Sequence, residues 1–145
     1  MAMREPMQRR GFLIRAMSLV AVGFGLLTIR EGGATLFGGE AAQSSAGGYV
    51  PFVLWFNFLA GFAYVAAGTG LWHWQRWAAW LAVVIAAATA FVFAAFGAHV
   101  HAGGAFEMRT VIAMSFRTLV WVAIAAISWR SLSRGNPAMT TKDVK

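Results

Sequence analysis

Apolar residues fall in four long runs, roughly 11–29, 50–72, 77–98 and 110–129, and the segments between them hold most of the charge. Each run reaches the ~20 residues that a helix needs to cross a hydrocarbon core ~30 Å thick. Backbone amides find no water in lipid, so a spanning segment must close its hydrogen bonds internally, which a helix does and an isolated strand does not. The pattern predicts an all-α integral membrane four-helix bundle, up-down-up-down. It forms a single transmembrane domain over 1–145, with mobile tails at 1–10 and 131–145.

Composition supports this class. The 145 residues are 59% hydrophobic and 12% charged, whereas a soluble domain carries about 25% charged residues. A net charge of +7 raises nucleic-acid binding as an alternative, and the placement of the charges argues against it. Arg4, Arg9, Arg10, Arg76, Arg130, Arg134, Lys142 and Lys145 fall on one side of the four-span map, and Arg30 and Arg109 on the other. That asymmetry is the positive-inside pattern. It predicts that both termini are cytoplasmic in a bacterial-type inner membrane, that the partner of the basic flanks is the lipid bilayer, and that no nucleic acid is bound.

Tryptophan supports the same map. Trp72, Trp74, Trp77 and Trp80 bracket the turn between the second and third spans, and Trp129 closes the fourth, so five of the seven indoles fall at the inner interface as an aromatic belt. The chain has no cysteine, which excludes disulfides, thiolate metal sites and oxidoreductases working through paired cysteines. Arg9-Arg10-Gly11-Phe12-Leu13 resembles a twin-arginine export signal. Arg15 interrupts the apolar stretch, and Glu40-Ala41-Ala42 places a carboxylate where cleavage wants a small side chain, so a retained first helix is expected. Arg15 lies near the start of that helix, where it snorkels to the interface.

Between the first two spans, Arg30 to Tyr49 holds Gly32, Gly33, Gly38, Gly39, Gly47 and Gly48 and few side chains able to pack, so it reads as a mobile loop. Pro51 suits the first turn of the second helix. The third span carries Ala82, Ala86, Ala90, Ala94 and Ala98 at four-residue spacing, and the second offers Gly61, Ala63, Ala67 and Gly70. Small residues at this spacing let helices approach closely. The expected use is packing of these two helices within one chain; the alternative is a seam for a homo-oligomer or a larger membrane complex.

Within the fourth span, Arg117 lies about 11 Å from the outer end at 1.5 Å per residue. A charge at that depth costs about 2.5–3.5 kcal/mol on insertion scales and marks a candidate functional site. Asn57, at the same depth in the second span, is the expected hydrogen-bonding partner. Glu107, Thr110, Met114, Arg117 and Trp121 follow at spacings of three or four and share one helix face. The candidate ligand-binding set is therefore Asn57, Glu107, Thr110, Met114 and Arg117, and its structural alternative is an internal network that fixes helix orientation.

His99 and His101 stand at the outer end of the third span, with Glu107 six residues on from the second imidazole. These three form a candidate site for a divalent metal or copper, which would need a looped backbone because an i, i+2 pair diverges on a helix. His73, the remaining histidine, is at the other face and cannot join them around a haem. There is no phosphate loop, hydrolase triad or carboxylate pair within a span, so hydrolase and kinase chemistry have no support, and the chain reads as non-enzymatic. The functional expectation is an outward-opening polar pocket that binds or helps to pass a small solute or ion. The alternatives are an accessory or assembly subunit of a membrane complex and, third, a metal- or haem-dependent redox protein.

Overall fold

Each of the four apolar runs is a helix in the computed structural model, which describes residues 5–45, 47 and 49–133. The described residues form α1 (Glu5–Phe37), α2 (Gly39–Ser45), α3 (Pro51–Trp72), α4 (Arg76–His101) and α5 (Met108–Ser133). All but the short α2 are long and apolar enough to cross a membrane. Residues 5–10 and 131–133, expected in the tails, continue α1 and α5. Arg4, Arg134, Lys142 and Lys145 lie outside the described residues.

The segment expected as a loop is largely helical. With 33 residues α1 is about 50 Å long at 1.5 Å per residue, well beyond the hydrocarbon core. Gly32 and Gly33 do not break it, because their missing side chains are used for contact: a Cβ on Gly32 would lie 3.1 Å from Phe58 Cβ on α3. The helix stops only before Gly39, whose φ of +77° suits glycine, and α2 follows. The Arg30–Glu31 ion pair in the extension, at 3.5 Å, is solvated on both sides.

Helix α3 starts where the sequence places it, with Pro51 in its first turn and Val50 extended before it. It ends in a tight turn to α4, in which Trp74 takes a left-handed conformation (φ 58°) and the Gln75 N–H donates to the Gly70 carbonyl at 2.9 Å. Trp72, Trp74, Trp77, Trp80 and Trp129 are all exposed around this end of the molecule. Trp80 and Trp129 meet edge to face at 4.7 Å, and the Arg15 guanidinium lies over the Trp72 ring at 5.9 Å.

The closest packing is between α1 and α3, followed by α4 with α5 and α3 with α4; α1 and α5 meet only lightly. The small residues of α3 are divided between two helices, whereas the expected use was against α4 alone. Gly61 and Gly68 of α3 face α1, not α4: a Cβ on Gly61 would come within 2.7 Å of Ile29, and one on Gly68 within 2.9 Å of the Ser18 carbonyl. Such proximity lets the buried Ser18 hydroxyl donate to the Gly68 carbonyl at 2.6 Å. Gly70 alone of the α3 glycines meets α4, against Ala78 and Trp77.

The alanine series of α4 is not one face. At 3.6 residues per turn each four-residue step drifts by about 40°, so the direction turns by about 160° from Ala82 to Ala98. Ala82 and Ala86 are accordingly buried in the core, and Ala90, Ala94 and Ala98 are exposed.

Two apolar clusters stack along the molecule. One, at the end carrying Pro51, His101 and Met108, is built on Val50, Val53, Phe96 and Met114. The other, reaching towards the tryptophan end, includes Ile14, Ala67, Leu71, Ala78, Ala82 and Ile124. Tyr64 and Trp121 also belong to this second cluster, and they carry part of the polar layer described next.

Candidate functional site

Tyr64 of α3, Thr89 of α4, and Arg117 and Trp121 of α5 are brought to similar depth. Counted from the Pro51 end at 1.5 Å per residue, they lie roughly 14 to 20 Å in, near the middle of their helices. Tyr64, Thr89 and Trp121 are fully buried, and Arg117 is 9% exposed. Residues three or four apart share a helix face, so Met114, Arg117 and Trp121 point into the bundle together.

One ring faces the guanidinium and two more pack behind it. Tyr64 and Trp121 lie 4.5 Å apart between ring centroids, and Phe24 of α1 stacks on Tyr64 at 5.9 Å. The Arg117 guanidinium sits over the Phe24 ring, 5.6 Å from its centroid. Nη1 also reaches the Met114 thioether at 4.0 Å, a weak acceptor. Neither partner carries a charge. Among the described residues no carboxylate pairs with Arg117.

Five buried side-chain polar atoms among the described residues lack a hydrogen-bond partner: Asn57 Oδ1, Tyr64 Oη, Thr89 Oγ1, Arg117 Nε and Trp121 Nε1. The Tyr64 hydroxyl is turned towards Thr89 without closing a hydrogen bond to it. Buried polar groups in folded proteins are nearly always paired, and an unpaired one forfeits about 1–3 kcal/mol. Four such groups in one layer, one of them cationic, form a concentrated unmet demand. The balance is donor-rich: Arg117 Nε–H and Trp121 Nε1–H only donate, the two hydroxyls can donate or accept, and Asn57 Oδ1 only accepts.

The expected site residues are divided. Met114 and Arg117 are in contact, and Met114 is also part of the apolar cluster at the Pro51 end. Asn57 shares a face of α3 with Tyr64, seven residues on, yet makes no hydrogen bond to Arg117; its Oδ1 is buried and unpartnered. Thr110 is half-buried in the first turn of α5, where its N–H donates to the Glu107 carbonyl at 2.9 Å. Glu107 stands at the rim, its carboxylate against Gly47, about 15 Å along the axis from Arg117 at ten residues' separation. The α5 face is therefore not a continuous polar stripe, because Met114 and the cluster around it separate the rim from Arg117.

The two histidines are held differently. The His99 ring packs on Gly104, stands edge-on to Phe52 and approaches the Ala105 carbonyl at 3.4 Å, while His101 is exposed. Among the described residues no three potential His, Asp or Glu ligands converge. A shallow groove lies at the opposite end, lined by Ala66, Thr69, Gly70, His73, Gln75 and Trp77, and touches none of the expected site residues.

Sequence reasoning missed Tyr64 and Thr89. The depth argument that singled out Arg117 applies equally to Tyr64, one of two tyrosines in the chain, and to Thr89, a hydroxyl halfway along the alanine-rich α4. Phe24 carried no such signal, since an apolar ring in an apolar span becomes a cation partner only through packing. No family model, curated protein or solved structure matches the chain, so its function is read from this site.

Proposed function

We propose that this chain is a non-enzymatic membrane protein that binds, or helps to pass, a small polar solute or ion at the layer formed by Tyr64, Thr89, Arg117 and Trp121. The observation that carries this reading is the pairing deficit: an enclosed guanidinium with no carboxylate among the described residues, beside three buried groups that lack hydrogen-bond partners. A purely structural network would satisfy its members, because a half-satisfied one costs more than an apolar core. A ligand with matching groups removes the deficit when it binds.

In this reading both termini are cytoplasmic and the Pro51 end faces outward, in keeping with the basic flanks and the tryptophan belt. Asn57, about 9 Å from that end, lies on the approach. Val50, Val53, Phe96 and Met114 stand across it and part when the solute enters, with the unbranched Met114 the most adaptable of them.

The test is mass spectrometry of small molecules released from protein purified in a mild detergent, compared with Arg117→Met prepared identically. The expected result is a species stoichiometric with the wild type and depleted in the variant. Equal recovery from both proteins refutes the assignment of the site.

A second reading, docking to another membrane subunit, draws on the outward half of α4. Ala90, Gly97 and Ala98 are exposed there, with nothing within 4 Å of where a Gly97 Cβ would stand, leaving a smooth strip of the kind transmembrane helices use to approach one another. Recovery of a heteromeric partner in mild detergent, lost on Gly97→Leu, favours it over the first.

A further inference from the structure

We infer that the solute held in the mid-membrane layer is a small anion. The inference rests on the binding reading above and adds the charge of the ligand.

Three observations carry it. First, Arg117 is nine-tenths buried, and it contacts the Phe24 ring and the Met114 thioether. An aromatic face attracts a cation but does not neutralise it, so the layer retains a full positive charge. Second, the unpaired atoms are mostly donors. Arg117 Nε–H and Trp121 Nε1–H have no accepting function, and the Tyr64 and Thr89 hydroxyls, which face one another, can between them turn a proton the same way. A cation would meet repulsion and N–H hydrogens, and a neutral solute would leave the guanidinium charge uncompensated. An anion accepts from the donors and pairs the charge, and such charge-assisted hydrogen bonds are the stronger kind. Third, the layer is tight. The Tyr64 and Trp121 rings are in contact, 4.5 Å between centroids, and Phe24 closes against Tyr64, which leaves no room for a bulky ligand. Low local polarity strengthens the pairing further, because the layer sits within apolar packing, Tyr64 and Trp121 belonging to one cluster and Met114 to the other.

The experiment measures the midpoint of thermal unfolding of the full chain in a neutral detergent at constant ionic strength. Sodium gluconate is replaced stepwise by sodium chloride, nitrate or formate, and formamide serves as the uncharged counterpart of formate. Any ligand that binds only the folded state raises the midpoint saturably. The expected result is a saturable rise with the small anions, none with formamide, and no change when sodium is exchanged for choline. Arg117→Met is expected to abolish the response. Trp121→Phe and Tyr64→Phe, which keep the rings and remove one donor each, are expected to weaken the apparent affinity about tenfold; they decide the matter if Arg117→Met fails to fold.

An anion response of wild-type size in Arg117→Met or in both ring variants overturns the inference, since the anion then binds elsewhere. So does the absence of any anion response in the wild type. If formamide stabilises as well as formate, the ligand is neutral: the anion inference falls and the mid-membrane binding site stands. If neither acts and no small molecule is released from the purified protein, both fall.

Discussion

Replacing Arg117 by methionine separates a binding site from a structural strut, because the two give opposite signs. Methionine keeps an unbranched chain of similar reach and removes the charge and the unpaired Nε. Removing a guanidinium from mid-membrane recovers up to about 2.5–3.5 kcal/mol on insertion scales. Exchange of a buried ionic group for an apolar side chain of similar volume is typically neutral or stabilising by about 1–4 kcal/mol. Against this stands the contact with the Phe24 face, 5.6 Å away, worth about 0.5–2 kcal/mol. The net expectation is a gain of about 1–2 kcal/mol for Arg117→Met. The assay is reversible unfolding in mixed micelles, titrated with a denaturing detergent. The buffer anion is gluconate, so that ligand binding does not add to wild-type stability. A loss of more than about 1 kcal/mol would refute the reasoning, because breaking a buried pair by removing one partner costs about 3–5 kcal/mol; Arg117 would then be holding the helices together.

Gly68→Ala is expected to destabilise the protein by about 1–3 kcal/mol through overpacking, since the new Cβ would meet the Ser18 carbonyl at 2.9 Å and the Val22 amide nitrogen at 3.0 Å, backbone atoms that cannot turn aside. Gly97→Ala, with nothing within 4 Å, is the matched control, and the same unfolding assay should find it unchanged or up to about 1 kcal/mol more stable; a loss as large as that of Gly68→Ala would show that packing geometry is not the cause. Ser18→Ala removes the 2.6 Å bond to the Gly68 carbonyl and should cost about 0.6 kcal/mol, the mean for interhelical hydrogen bonds in membranes. Elemental analysis is expected to find less than one metal ion per chain, because His99 is turned onto Gly104 and the Ala105 carbonyl; stoichiometric copper or zinc lost on His101→Ala would reverse that expectation. Reporters that fluoresce only in the cytoplasm should be bright when fused at either terminus, and a dark fusion at one end would break the proposed four-span topology.

What the sequence determined alone is the part set by the solvent. Lipid demands about twenty consecutive apolar residues and internally closed backbone hydrogen bonds, so the existence and rough place of the four spans could be read, as could the start of α3 at Pro51, while the extension of α1 to Phe37 could not. Arg117 was legible for the same reason, since a charge inside such a run is conspicuous without any knowledge of its neighbours. Which faces meet was not legible, because it depends on contacts between segments distant in the chain. Gly32 and Gly33 look like loop residues until Phe58 is seen against them. Gly61 and Gly68 suit either neighbouring helix, and only the close approach of Ile29 and Ser18 assigns them to α1. The alanines of α4 looked like one ridge at four-residue spacing, yet a helix of 3.6 residues per turn rotates them from core to surface. The partners of Arg117 follow the same rule: Asn57 and Glu107 matched it in chemistry, but tertiary packing supplied Phe24 and Met114 as its contacts and Tyr64 as its neighbour in the layer. Rings and sulfur surround the charge without neutralising it, and that deficit exists only once the helices are assembled.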